Sequence, residues 1–275
     1  MLTRTIPSSG EALPAIGLGT WSVFDVGEGE RERRPLAEVV AALFAAGGRL
    51  LDSSPMYGRA ETVAGDLVAE RASPAAPAFL ATKVWTEGRE AGIVQMETSM
   101  RRLRAPRLDL VQIHNLVDWR THARTLRAWK DAGRVRYIGI THYTPSAHAA
   151  LESVLLAEPW DFVQLDYALD DRAAERRLLP LAAERGVAVL VNRPFGGGAL
   201  LSGLGGTPLP TWAAELGCTS WAQCALKFVL GHPAVTCVIP ATSRVEHLRD
   251  NVAAGVGPLP DAAMRLRMAR SFDRR

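Results

Sequence analysis

Asp52, Tyr57, Lys83 and His114 are the residues of this 275-residue chain whose types and spacing suit proton-transfer chemistry. The run Leu-Leu-Asp over 50–52 ends in Asp52, and a short polar turn then carries Tyr57 beside Gly58. Phe-Leu-Ala-Thr-Lys over 79–83 ends in Lys83, and Leu-Asp-Leu-Val-Gln-Ile-His over 108–114 ends in His114. A tyrosine hydroxyl can protonate an oxygen that is gaining negative charge, but an unperturbed phenol has a pKa of about 10. A neighbouring ammonium favours the phenolate and lowers that value; Lys83 can supply the cation and Asp52 can hold it in place. His114 can hydrogen-bond the same oxygen and polarise it. Taken singly, the four read as a helix-capping carboxylate, a packed aromatic, a surface lysine and a core histidine. Their order at three successive apolar run ends is what favours a shared site.

The spacing says which elements must position them. Asp52 to Lys83 is 31 residues and Lys83 to His114 is 31 again, about the ~30 residues of one strand–helix–strand crossover. One functional group at the C-terminal end of each strand predicts a (β/α)8 barrel with its site on the top face. Arg4–Ile6 and Ala12–Leu13, around the turn Pro7-Ser8-Ser9-Gly10, read as an N-terminal β-hairpin closing the barrel bottom. Strands are expected at Ala15–Gly19, Leu50–Asp52, Phe79–Lys83, Leu108–His114, Val135–Thr141, Asp161–Leu165, Val187–Asn192 and Val235–Ile239. Helical spacing follows each of them. Ser22–Pro35 is polar and reads as a loop, Pro74–Pro77 as a helix break, and Leu200–Ser220 as a long excursion with a short helix at Trp212–Leu216. Asp261–Arg270 reads as a final helix packed underneath. No composition shift, repeat or low-complexity tract divides 1–275, so one barrel domain is expected.

Composition narrows the function classes. Hydrophobic residues make up 48% and the net charge is only +3, with scattered basic residues, which argues against nucleic-acid binding. No apolar run approaches the ~18 residues of a membrane span, and 1–14 lacks the pattern of a signal peptide, so a cytoplasmic protein is expected. The three cysteines, Cys218, Cys224 and Cys237, read as buried free thiols. Only Lys83, Lys130 and Lys227 are lysines, against 29 arginines. An ammonium is a compact cation of tunable pKa, which arginine cannot replace.

The Asp-x4-Tyr spacing with the Lys and His strand ends resembles the catalytic tetrad of the aldo-keto reductases, over about 15–251. The resemblance implies an NADP(H)-dependent oxidoreductase that reduces an aldehyde or ketone, with Asp52, Tyr57, Lys83 and His114 catalytic and Tyr57 the acid. It implies that the cofactor lies across the strand ends, without a Rossmann fold. Contacts would come from Gly19, Thr20, Trp21, Asp52, Thr141, His142, Gln164, Asn192, Arg193, Pro194, Phe195, Gly196 and Gly198, and at the adenine end from Pro240, Thr242, Ser243, Arg244, His247, Asp250 and Asn251. Two positions depart from the family pattern: His142 replaces an asparagine, and Asn192 replaces the aromatic that stacks on the nicotinamide. The usual Lys and Arg that grip a 2′-phosphate are Ala241 and His247 here. Arg244 with Thr242 and Ser243 can take their place, favouring NADP(H) over NAD(H). Trp21, Phe24, Trp85, Asn115 and Trp119 are expected to line the pocket for a small-molecule carbonyl substrate.

Two other readings compete. A nicotinamide-binding regulator of the same fold would keep the tetrad and turn over slowly or not at all. A metal-dependent barrel hydrolase would use His114, His142 and Asp52, but no His-x-His follows the first strand, and Lys83 is a poor neighbour for a divalent cation; no metal is expected. The residues give no reading of the oligomeric state.

Overall fold

The computed structural model describes residues 1–71 and 77–274. Eight parallel strands form a barrel: β3 (Leu18–Gly19), β4 (Leu50–Asp52), β5 (Phe79–Val84), β6 (Leu108–His114), β7 (Val135–Thr141), β8 (Phe162–Asp166), β9 (Ala188–Asn192) and β10 (Val235–Val238), paired in that order. Bridges from Ile16 to Val238 and from Gly19 to Ala241 bring β10 back to the first strand and close the ring. This is the (β/α)8 fold that the 31-residue spacing predicts. A two-stranded hairpin, β1 (Thr3–Thr5) and β2 (Ala12–Pro14), precedes it.

Alternation along the strands sorts side chains into two layers, because successive residues point to opposite faces. One parity packs against the helices. The other fills the barrel: Leu50, Phe79, Ala81, Leu110, Tyr137, Phe162, Ala188, Leu190 and Cys237 form one buried cluster. Ile6 and Leu13 of the hairpin belong to the same cluster, so the hairpin plugs the lower mouth. Tyr137 Oη reaches Ser9 Oγ at 2.7 Å, and Arg136 pairs with both Glu11 and Asp109. Continuing the inward parity upward gives Asp52, Lys83, Gln112 and Gln164. The barrel therefore carries a polar layer on an apolar floor.

Gly139 makes room for that layer. A Cβ there would lie 2.7 Å from the Phe162 carbonyl oxygen and 3.3 Å from the Gln112 side chain. Gly139→Ala is expected to cost about 1–3 kcal/mol of stability through overpacking. An unchanged urea midpoint would show that the two strands can spread without cost.

Among the described residues the α-helices are α1 (Glu30–Ala45), α2 (Ala60–Ala69), α3 (Arg89–Arg102), α4 (Trp119–Asp131), α5 (His148–Ala157), α6 (Leu178–Glu184), α7 (Ala199–Gly203), α8 (Trp212–Glu215), α9 (Trp221–Leu230), α10 (Val245–Ala253) and α11 (Ala262–Asp273). Three expectations change. α1 begins at Glu30, so the charged stretch expected to be loop is helix with Pro35 inside it; those residues are solvent-facing, and Glu30 and Glu32 suit the N-terminal end of the helix dipole. α11 runs along the outside of α9 rather than underneath: Arg265 Nε donates to Phe228 O, and Arg172 at the top pairs with Asp273. The excursion also holds α7, which the sequence reading left out. The break expected at Pro74–Pro77 lies outside the described residues apart from Pro77. All three cysteines are buried free thiols. Among the described residues, no helix is long and apolar enough to cross a membrane.

Candidate active site

The tetrad residues meet at the C-terminal mouth of the barrel. Lys83 is fully buried, and its Nζ donates to Asp52 Oδ2 at 2.6 Å and to the Ser53 carbonyl at 2.7 Å. The same ammonium lies 5.1 Å from the centroid of the Tyr57 ring. Tyr57 is half-buried, and its ring stands edge-on to His114 with centroids 6.1 Å apart. Trp85 also lies near the imidazole, tilted against it with centroids 6.5 Å apart.

Burial disfavours the Lys83 ammonium, but the Asp52 charge and then Tyr57 outweigh it, and the net shift of its pKa is upward. Lys83 therefore stays a cation. Burial also pushes the Tyr57 phenol above its ordinary value; Lys83 opposes this through its charge and a hydrogen bond, and Asp52 reinforces it. The lowering expected from sequence is thus present as a contribution but is outweighed. The consequence is a phenol that holds its proton at neutral pH beside a cation ready to stabilise the phenolate.

His114 is pulled down to about 3, first by burial and then by the charges of Lys83 and His142. Its imidazole is neutral over the physiological range. Ser54 Oγ accepts from the Met56 N–H at 3.4 Å and sits 3.2 Å from His114 Nδ1, where its own hydrogen can be donated to that ring nitrogen. The proton is then on Nε2, where it can be donated to an oxygen in the pocket. In NMR, the His114 ring is expected to keep the signature of the neutral imidazole from pH 8 down to 5; titration near 6.5 would contradict this. The folded value lies below the unfolded one, so between pH about 3 and about 6.5 the unfolded chain binds more protons. This group's contribution to stability is full above that window and is lost as pH falls through it.

A second network crosses the barrel. Asp52 Oδ1 accepts from Gln112 Nε2 at 3.1 Å and from Gln164 Nε2 at 2.9 Å. Gln164 Nε2 also reaches Gln112 Oε1 at 3.3 Å. Gln164 Oε1 accepts from Thr141 Oγ1 at 3.2 Å and Asn192 Nδ2 at 3.3 Å. Thr141, Gln164 and Asn192, expected at the cofactor, are thus linked to Asp52 through protein hydrogen bonds. Asn192 Oδ1 is buried with no partner among the described residues. His142 Nδ1 accepts from the Tyr143 N–H at 3.0 Å, and its ring stacks on Tyr143 at 5.4 Å.

The remaining expectations divide. Phe24 is fully buried in the apolar layer between sheet and helices and presents no surface to a pocket. Thr20 is also fully buried, and its hydroxyl donates toward Asp52 O and Ser53 Oγ at 3.0 Å, tying two strands together; Gly19 packs against the Ile239 carbonyl. Asp250 accepts from Ser220 Oγ at 2.7 Å and Gln223 Nε2 at 2.6 Å, and so anchors the start of α9; Asn251 beside it is buried. Pro194 and Pro240 are buried, and Phe195 packs half-buried on the core. Arg193 is exposed at φ +48°, with its guanidinium 5.8 Å from the Tyr143 ring. Gly196, Gly197 and Gly198 run at φ +59°, +72° and +99°, a left-handed turn that favours glycine. Ser243, Arg244 and His247 are exposed at the far end, and the buried Thr242 accepts from the Arg244 N–H at 3.1 Å.

The mouth is aromatic. Trp21 is 60% exposed and Trp85 38%; Asn115 and Trp119 are half-buried on the loop after β6 and at the start of α4. Asn115, Leu116 and Asp118 on that loop have φ of +52°, +59° and +43°, concentrating backbone strain beside His114. Sequence reasoning missed Ser54, Met56, Gln112 and Tyr143. Only Gln112 carried a local signal, as a polar residue of inward parity in an apolar strand. Among the described residues, no group of three or more His, Cys, Asp or Glu is placed to hold a metal ion.

The chain is 28% identical over 258 residues to an aldo-keto reductase of Mycolicibacterium smegmatis, covering 91% of this chain and 87% of that one. It is likewise 28% identical over 262 residues to the methylglyoxal reductase YeaE of Escherichia coli K12, covering 92% and 89%. Its fold superposes with a TM-score of 0.81 on an aldo/keto reductase from Klebsiella pneumoniae crystallised with NADP and acetate, at 25% identity and over 96% and 93% of the two chains. The family model "Aldo/keto reductase family" matches residues 15–267. With the tetrad residues gathered at the mouth of an eight-stranded barrel, this chain belongs to the aldo/keto reductase family of oxidoreductases.

Proposed function

We propose that this protein reduces an aldehyde or ketone to an alcohol with NADP(H), Tyr57 serving as the general acid. The observation that carries the reading is the buried Lys83 ammonium, fixed by Asp52 on one side and placed against the Tyr57 ring on the other. Support for the cofactor comes from the Klebsiella relative, which holds NADP.

Features of the site fit a nicotinamide dinucleotide. Asn192 Oδ1 is a buried acceptor in need of a donor, which a carboxamide N–H would supply. The tautomer fixed by Tyr143 leaves His142 Nε2–H as a donor. The turn at 196–198 lets backbone N–H groups approach a pyrophosphate, as glycine permits. Arg244 is exposed and only loosely engaged by Glu246 at 3.8 Å, so its guanidinium can meet a 2′-phosphate.

NADPH supplies the hydride. The chain's own residues handle the proton and the charge. His114 Nε2–H donates a hydrogen bond to the carbonyl oxygen and polarises it. Tyr57 gives its phenolic proton to that oxygen as negative charge develops on it. Lys83 stabilises the resulting phenolate, and Asp52 keeps Lys83 from turning away. In the oxidation direction the phenolate is the base. Trp21, Trp85 and Trp119 supply an apolar mouth that suits an aromatic or aliphatic carbonyl.

The experiment is oxidation of NADPH by the purified protein with 4-nitrobenzaldehyde, alongside fluorescence titrations with NADPH and NADH. Turnover with tighter NADPH binding is expected. Binding without turnover would instead mark a nicotinamide-binding regulator, and preference for NADH would overturn the role given to Arg244.

A further inference from the structure

We propose that Gln112 is a positioning residue of this site, holding the Asp52 carboxylate so that it presents Oδ2 to Lys83; the inference rests on the reading of the tetrad given above. Gln112 sits on β6 two residues before His114, at the register of Lys83 on β5 and Gly139 on β7. It is fully buried. Below it, Leu110 fills the same inward face with an apolar side chain. A buried amide costs free energy unless its polar atoms are paired. Every partner that Gln112 finds belongs to Asp52's own surroundings.

The geometry is a closed triangle. Gln112 Nε2 donates to Asp52 Oδ1, Gln164 Nε2 donates to the same oxygen, and Gln164 Nε2 also donates to Gln112 Oε1. With a single amide, rotation about the Asp52 Cβ–Cγ bond would be restrained only by one donor on Oδ1 and by Lys83 on Oδ2. Two amides on Oδ1, themselves linked, fix that rotation and leave Oδ2 for the ammonium. The absence of a Cβ at Gly139 gives the Gln112 side chain its space. Lys83 is placed against Tyr57 only as well as Asp52 is placed against Lys83, so Gln112 acts on proton transfer without touching substrate or cofactor.

The test is a double-mutant cycle with Gln112→Met, which keeps the volume and removes both polar atoms. In the wild-type background kcat for carbonyl reduction is expected to fall about 10- to 100-fold, the range that a small misplacement of reacting groups costs. KM for the carbonyl and NADPH affinity stay unchanged. In an Asp52→Asn background the same change should cost less than about 2-fold, because the residue acts through Asp52. A readout independent of turnover comes from ε-13C-lysine NMR, in which three lysines give three signals and Lys83→Met assigns one. The Lys83 ammonium should lose its proton at lower pH in Gln112→Met than in wild type. If Gln112→Met does not fold, Gln112→Glu is used, and its activity should recover toward wild type as pH falls, when a neutral carboxyl can again donate to Asp52. Equal losses in both backgrounds, an unmoved Lys83 titration, or a pH-independent Gln112→Glu would each overturn the assignment. If the wild type turns over no carbonyl, the lysine titration still decides the positioning role, and only the proposed activity falls.

Discussion

Tyr57→Phe is expected to lower carbonyl reduction by about 10²- to 10⁴-fold, the usual contribution of a positioned general acid. The change removes one oxygen and keeps the ring, so the edge-on packing against His114 and the contacts of Trp85 with that imidazole persist. NADPH affinity is expected to stay within about twofold, since no group proposed to hold the cofactor is altered. The loss should fall on kcat, because the proton is needed only as charge develops on the substrate oxygen. Steady-state kinetics with fluorescence-measured binding separates the two. Reduction at the wild-type rate would mean that another group, or water, supplies the proton.

Lys83→Met is expected to abolish most of the reduction and also to destabilise the fold. The substitution leaves the buried Asp52 carboxylate with two amide donors and no cation. Removing one partner of a buried ion pair costs about 3–5 kcal/mol, because the other charge is left uncompensated. The combination Lys83→Met with Asp52→Leu takes both charges out and should regain most of the lost stability without regaining activity. Denaturant unfolding of the two variants beside their turnover makes the comparison. If the single variant is as stable as wild type, water or another donor reaches the carboxylate, and the pair is less isolated than the barrel interior implies.

Much of this architecture was legible because its signals are local. Leu50–Asp52, Leu108–His114 and Val135–Thr141 are strands with the boundaries that their apolar runs suggested, and α9 likewise spans Trp221–Leu230. Each run is bounded by a charged, polar or glycine residue, and a parallel strand buried on both faces reads as a nearly continuous apolar stretch. α1 was misread at its start because an exposed helical turn of Glu and Arg has no apolar periodicity to distinguish it from a loop. Phe24 was misplaced for the opposite reason: an aromatic on a loop carries no sign of which way it faces. At the site, residue type and strand-end position singled out Asp52, Tyr57, Lys83 and His114, which the structure brings together. What they could not supply was the balance of burial against charge, which sets the direction of the Tyr57 shift. Nor could they supply contacts that exist only once the ring closes, such as Gln112 and Gln164 meeting Asp52 across the barrel.

The central claim is that the Lys83 cation opposes the effect of burial on the Tyr57 phenol. Tyrosine labelled with 13C at Cζ gives four signals in this chain, and Tyr57→Phe identifies the one that matters. Titrating that signal in wild type and in Lys83→Met measures the coupling itself. The phenol should ionise at clearly higher pH once the ammonium is gone; an unmoved titration would mean that the lysine does not tune the acid.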